Sequence, residues 1–180
     1  AVGYEAGKAI TTASNNQAIG PYALDALTTG NSNTAIGTHA LGACTTGAGN
    51  VIVGGEAGKA ITTQDANTGI GYGVLAANTA TNNTAVGYTA LTANTTGSTN
   101  TAVGNYVLDA NTTGSSNTGI GYNALGANTT GGSLAAVGTN ALLVNSTASN
   151  NTAVGYGSLA ANTTGYSNVA VGTNALSANT

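Results

Sequence analysis

Eleven copies of one phrase, a β-branched residue followed by glycine, recur through this chain from Val2-Gly3 to Val171-Gly172. Successive glycines stand 17 residues apart, except for one step of 16 between Gly71 and Gly87. A period this short and regular predicts a solenoid in which each repeat is one coil stacked on the last. It also predicts that function comes from a repeated surface, because no single catalytic constellation is present.

The consensus N-T-A-[VI]-G-Y-x-A-L-x-A-N-T-T-G-x-S reads cleanly in Asn83–Thr99, Asn100–Ser116 and Asn117–Ser133. Counting from the glycine as zero, position −1 is Val or Ile in every copy, and +4 is Leu except at Gly7 and Gly58. Position +6 is Ala except at Val144, and +8 is Thr except at Ser146. Glycine and β-branched residues recur too often for a helix. Two short extended stretches fit the phrase instead, T-A-V-G and A-L-x-A, each flanked by Asn, Gly, Ser and Thr turn chemistry. The expected fold is all-β: a parallel solenoid of about ten and a half coils stacked about 4.8 Å apart into a rod roughly 50 Å long. The β-branched column Val86, Val103, Ile120, Val137, Val154 and Val171 is expected to form the core.

Stacking sets identical residues on each other. Position +7 is Asn in seven consecutive coils: Asn78, Asn94, Asn111, Asn128, Asn145, Asn162 and Asn179. Such a column forms a ladder in which each amide bonds the copies above and below. A second column runs from Asn16 to Asn168 and is broken by Leu134. Cys44, the chain's one cysteine, takes an Asn slot of the repeat, and no intrachain disulfide can form.

Composition narrows the partners. Charged residues are 4% of the chain, against about 25% in an ordinary domain. Two lysines and no arginine cannot neutralise a phosphate backbone, so nucleic acid is excluded as a partner. No apolar run approaches the roughly 20 residues of a membrane-spanning helix. The uncapped first and last repeats read as a segment of a longer fibrous protein, residues 1–180 being one repeat array. Ala, Val and Leu on both sides of each strand predict an apolar face inside the coil and another outside. Parallel copies around a shared axis, taken as three, cover the outer one.

The phrase A-[VI]-G-x-x-A with its N-T or N-S lead-in resembles the head repeats of YadA-like trimeric autotransporter adhesins. The longer form N-T-A-V-G-Y-x-A-L-x-A-N-T-T-G is similar to repeats of phage tail-fibre and bacterial surface proteins. The resemblance covers the whole chain, although the coil here is longer than the adhesin repeat, the extra residues falling in the N-T-T-G turn. It implies a left-handed β-roll, a homotrimeric fibre, and an extracellular or virion-surface location.

Few residues offer chemistry. Glu5–Thr12 and Glu56–Thr63 are identical in sequence, and they hold both lysines. Gly55–Ala60 lacks the spacing and the following Ser/Thr of a phosphate loop, so local Glu–Lys pairs of little energy are expected. His39 reads as a solvent-facing variable residue, and Asp25, Asp65 and Asp109 are scattered. No metal site, cofactor site or nucleophile–base pair is expected. Tyr72, Tyr88, Tyr122 and Tyr156 follow the glycine and are candidate surface contacts, either packing along the rod or binding a host-cell or surface glycan or receptor.

The sequence therefore reads as a non-enzymatic shaft or head segment of a trimeric attachment fibre. Two alternatives stand beside it: a self-assembling extracellular filament, and an ice-binding solenoid presenting threonine arrays. The N-T-T sequons at Asn94, Asn111, Asn128 and Asn162 would suit glycosylation of a secreted filament, but an Asn ladder also produces them by accident.

Overall fold

The computed structural model describes Ala1 to Asn179; Thr180, the last member of the +8 threonine column, lies outside the described residues. The fold is an all-β parallel solenoid. Its ten strands, three residues each, are β1 (Gln17–Ile19), β2 (Thr34–Ile36), β3 (Val51–Val53), β4 (Thr68–Ile70), β5 (Thr84–Val86), β6 (Thr101–Val103), β7 (Thr118–Ile120), β8 (Ala135–Val137), β9 (Thr152–Val154) and β10 (Val169–Val171). They form one parallel sheet in sequence order, extended by a bridge between Val2 and Ile19. Each residue sits on its own counterpart one period later, as in Thr84↔Thr101, Ala85↔Ala102 and Val86↔Val103.

The short coil does not disturb this register, for Thr68 still pairs with Thr84. The missing residue comes out of the N-T-T-G turn. Asn67 and Asn78 both donate to the Ala80 carbonyl, just as Asn83 and Asn94 donate to that of Gly97. A turn held by two side-chain amides loses one threonine without moving the strand that follows.

Only one of the two expected strands forms. The A-L-x-A stretch is a run of turns, because its leucines adopt left-handed backbone, with φ from 49° at Leu176 to 57° at Leu125. The reason lies in burial: adjacent Ala90 and Leu91, like Ala124 and Leu125, are both fully buried, whereas a strand sends neighbours to opposite faces. A left-handed residue costs about 1–2 kcal/mol, while complete burial of a leucine returns about 1.5–3 kcal/mol. The trade favours the turn. Coil-to-coil bonds still tie the stretch down, for example Leu91 N–H to Val107 O at 3.0 Å and Leu108 N–H to Ala124 O at 3.2 Å.

The core assignment is corrected by the strands themselves. Each alternates exposed or half-buried, buried, exposed or half-buried, and the buried member is the central Ala or Gly except in β3, where Ile52 is buried beside Gly58, which stands in the leucine slot. Val103, Ile120, Val137 and Val154 are 37–40% exposed and Val171 is 71% exposed, with Val86 half-buried. The core is built from Ala102, Ala136 and Ala153, with Leu91, Leu108, Leu125, Leu142 and Leu159 across the coil. With leucine filling the interior from one side, only a small residue fits on the strand side, so the β-branched residues face out.

Exchanges of volume support this arrangement. Where a strand carries Gly69 or Gly119 at its centre, a Cβ would meet the valine methyls of Val74 or Val107, residues that replace the usual +3 alanine. Gly7 and Gly58 vacate the leucine slot, and their space is taken by the Cδ1 atoms of Ile10 and Ile61, 3.0 and 3.1 Å from where a Cβ would sit. The near-identical coils beginning at Glu5 and Glu56 are thus a Leu-plus-Asn pair replaced by Gly-plus-Ile.

The invariant glycine has a separate cause. Gly104 has φ of 133°, and a Cβ there would lie 2.7 Å from the Gly121 carbonyl oxygen. Every coil turns its corner at this point with its backbone against the next, so both conformation and space demand glycine.

Two asparagine columns brace the rod. In the first, each Nδ2 donates to the Oδ1 one coil earlier: Asn94 to Asn78 at 2.6 Å, Asn111 to Asn94 at 2.8 Å, Asn128 to Asn111 at 2.9 Å and Asn145 to Asn128 at 3.3 Å. Asn162 and Asn179 continue it at 2.9 and 2.8 Å. In the second, each Oδ1 accepts the backbone N–H one period on, as Asn83 does from Asn100 and Asn100 from Asn117. The described residues include no buried side-chain polar atom without a partner. The first column is apolar in the early coils, where Ile10, Leu27, Cys44 and Ile61 occupy it, and becomes asparagine from Asn78 onward.

Candidate functional site

Three repeated surfaces are available, and each is set by its position in the coil. The first is the outer face of the sheet. Along one side runs the Val/Ile column; beside it runs the first residue of each strand, threonine at Thr34, Thr68, Thr84, Thr101, Thr118 and Thr152. These six hydroxyls have no hydrogen-bond partner among the described residues. No strand residue on this face is charged. The face is therefore a flat, in-register ribbon of methyl groups and free hydroxyls.

The second surface is the N-T-T-G turn, whose chemistry is largely spent on the rod. The hydroxyls of Thr28, Thr79, Thr95, Thr112 and Thr129 each donate to the carbonyl of the equivalent residue one coil on, at 2.9–3.1 Å. Asn94, Asn111, Asn128 and Asn162 are fully buried, with their Nδ2 atoms committed to Gly97, Gly114, Gly131 and Gly165. Folded coils offer no amide there for glycosylation.

The third surface is the edge just past the glycine corner. Tyr72, Tyr88 and Tyr122 lie on it, joined into one run by Tyr106, with ring centroids 6.0, 5.5 and 5.8 Å apart in order. The rings are exposed by 37% at Tyr106 to 57% at Tyr72. Tyr156 lies beyond Thr139 and Asn140 and does not join the run. Tyr106 occupies position +2 rather than +1; the left-handed backbone at +2, φ 59° at Tyr106, brings that slot to the same edge.

The same edge gathers the charges of the early coils. Lys8 pairs with Glu5 at 2.6 Å and Lys59 with Glu56 at 3.5 Å; the Glu5 hydrogen bond raises the Lys8 pKa. Both pairs are exposed, so they contribute little to stability. His39 is more than a variable surface residue, for its ring stacks flat on Tyr22 at 4.8 Å and 1°. It joins Asp25, Glu56 and Lys59 around an open pocket of about 350 Å³ floored by Gly42 and Ala43. Asp65 stands apart and accepts the Ala48 N–H. Asp109, raised in pKa by burial, shares position +5 with Asp25 but lies three coils beyond Lys59.

Cys44 is buried, donates weakly to Gly47 O at 3.7 Å, and is pushed up to about 11 by burial. A thiol so protonated is inert at neutral pH. Among the described residues no three His, Cys, Asp or Glu side chains converge as a metal site, and no helix is long and apolar enough to cross a membrane.

The fold defines the class, a parallel β-solenoid repeat protein. Compared with known proteins, the chain matches no family model, no curated protein and no solved structure.

Proposed function

We propose that this chain is a structural and adhesive segment of an extracellular or virion-surface fibre, in which three parallel copies pack through the outer Thr and Val/Ile face. One observation carries the reading: a β-branched column that repeats in every coil and lies exposed or half-buried along the rod, with no charge on its face. Burial of apolar surface contributes about 25 cal/mol per Å², and a ribbon of this length offers it at every step. Exposed apolar stripes of this kind mark association surfaces. The resemblance of the repeat to YadA-like heads and tail-fibre proteins supports the same reading, with attachment to a host or surface as the task. The mechanism is mechanical: backbone bonds and amide ladders hold the rod straight while the shared seam stiffens it.

Val103→Asp with Val137→Asp tests it. Both side chains point out of the coil, so the variant keeps the β-sheet circular dichroism of the wild type. Light scattering is expected to give three times the 17.1 kDa chain for the wild type and a single chain for the variant. A monomeric wild type sinks the reading.

The six unbonded threonine hydroxyls favour a second reading, an ordered-water surface that binds ice. On that reading the wild type is monomeric, shows thermal hysteresis and shapes ice crystals, and Thr101→Tyr abolishes both. The +8 threonines do not serve it, because their hydroxyls are bonded within the rod.

A further inference from the structure

Of the carboxylate, ammonium and imidazole side chains, all but Asp65 stand at positions +2 and +5 along one edge, Asp109 three coils beyond the rest. That edge carries two columns. Position +2 holds Glu5, Tyr22, His39 and Glu56; position +5 holds Lys8, Asp25, Gly42 and Lys59. Gly42 supplies no side chain where its neighbours supply Asp25 and Lys59, and this gap opens the pocket of about 350 Å³. Carboxylate acceptors flank it through Asp25 and Glu56, and Lys59 and His39 bring nitrogen donors.

Aromatic rings continue from the pocket in both directions. On one side His39 stacks on Tyr22, and Tyr22 meets Tyr4 edge-on at 5.4 Å. On the other, the Tyr72 ring lies beside Gly55, 3.5 Å from where a Cβ would stand, and leads into Tyr88, Tyr106 and Tyr122. Pocket and rings form one line along the rod, across the glycine corner from the Val/Ile face, so assembly through that face leaves the line open.

The chemistry selects the ligand. An open trough does not suit a small apolar molecule, which binds in enclosed, mostly apolar cavities. The near balance of carboxylates and ammonium groups offers no cationic excess for phosphates. A pair of carboxylates accepts hydrogen bonds from vicinal hydroxyls, nitrogen donors meet ring and hydroxyl oxygens, and tyrosine offers an apolar body with a polar tip. Centroid steps of 5.4–6.0 Å along the tyrosines are about one sugar unit of an extended chain.

We propose that the edge from Tyr4 to Tyr122 is a binding track for an extended, uncharged polysaccharide, anchored at the pocket between Asp25 and Lys59. The proposal rests on the adhesive reading above and gives it a ligand class. The test is native gel electrophoresis of the full chain through gels cast with galactomannan, mixed-linkage glucan or yeast mannan, with alginate as the anionic probe. At least one neutral polysaccharide is expected to retard the wild type. Tyr88→Ala and Asp25→Asn should each weaken that retardation at least tenfold, while Tyr166→Ala, an exposed tyrosine off the track, leaves it unchanged. Retardation by alginate alone, by no polysaccharide, or equally in all variants overturns the track. Solution mass on the same samples separates the two readings. A trimer without retardation overturns the track and leaves the fibre; retardation of a monomer supports the track and overturns the fibre.

Discussion

Asn111 and Asn128 share one rung of the buried ladder, and that sharing fixes how their substitutions combine. Asn111→Ala removes the bonds to Asn94 and from Asn128 and leaves the Asn94 Oδ1 as a buried acceptor with no donor. The Gly114 carbonyl keeps its second donor, Asn100. Three lost bonds, the two rungs and the one to Gly114 O, at about 1 kcal/mol each, with one orphaned acceptor, set the cost at about 3–5 kcal/mol. Asn128→Ala likewise removes the rungs to Asn111 and Asn145 at similar cost. The double variant breaks three rungs rather than four, since the Asn111–Asn128 bond is lost only once. It also orphans one acceptor, Asn94 Oδ1, where the singles together orphan two, so it should be less destabilised than the sum of the singles by one rung and one orphaned acceptor, about 1–3 kcal/mol. Asn111→Ala with Asn162→Ala shares no rung and should be additive within about 0.5 kcal/mol. Urea denaturation of the three single and two double variants, read by circular dichroism, gives both numbers. Additivity in the adjacent pair, or coupling as large in the separated pair, refutes the ladder as a chain of pairwise bonds.

Gly104→Ala should cost about 3 kcal/mol or more, combining left-handed strain with a backbone clash; a melting temperature within a degree of wild type would show that the coils can separate there. Gly58→Leu forces a side chain into space held by Ile61 and Ile52, whereas adding Ile61→Asn and Ile52→Ala restores the consensus set, so the triple should recover at least about 1 kcal/mol over the sum of the singles, measured by the same denaturation. Cys44 should resist a thiol-specific disulfide reagent at pH 8 in the folded chain and react fully in urea. Its folded pKa is raised, so its contribution is complete below the ordinary thiol value of 9.0 and is lost as pH rises toward about 11. Stability should fall there by up to about 1.4 kcal/mol per pH unit, and Cys44→Ala should remove that part of the slope.

The period, the parallel stacking and the Asn78–Asn179 column were legible because identical residues at identical intervals have nowhere to go except onto each other. The phase of the strand was not. T-A-V alternates equally well with valine in or out, and the choice is made by leucines that approach from across the coil. A signal did exist: the central strand residue exchanges volume with position +3, as Gly69 does with Val74 and Gly119 with Val107, while the Val/Ile column exchanges with nothing. Residues that compensate one another share a space. The A-L-x-A stretch misled because its apolar pair looks extended, and only left-handed backbone lets both members face inward. The pocket is not legible because Asp25 stands at position +5 while His39 and Glu56 stand at +2 of the two following coils, and the missing side chain of Gly42 leaves no mark in a consensus.

Every amide of the Asn78–Asn179 column points the same way, with Nδ2 toward the earlier coil and Oδ1 toward the later one. The second column shares that sense, each Oδ1 receiving an N–H from the later coil. The sheet bonds run in both directions, Val2 N–H to Ala18 O and Gly20 N–H to Val2 O, and largely cancel. Side-chain amides aligned in a low-dielectric interior polarise one another, so the buried columns have a fixed sense along the axis, while the threonine hydroxyls on the turn donate the opposite way, toward the later coil. The column that holds the coils together thereby also tells one end of the rod from the other.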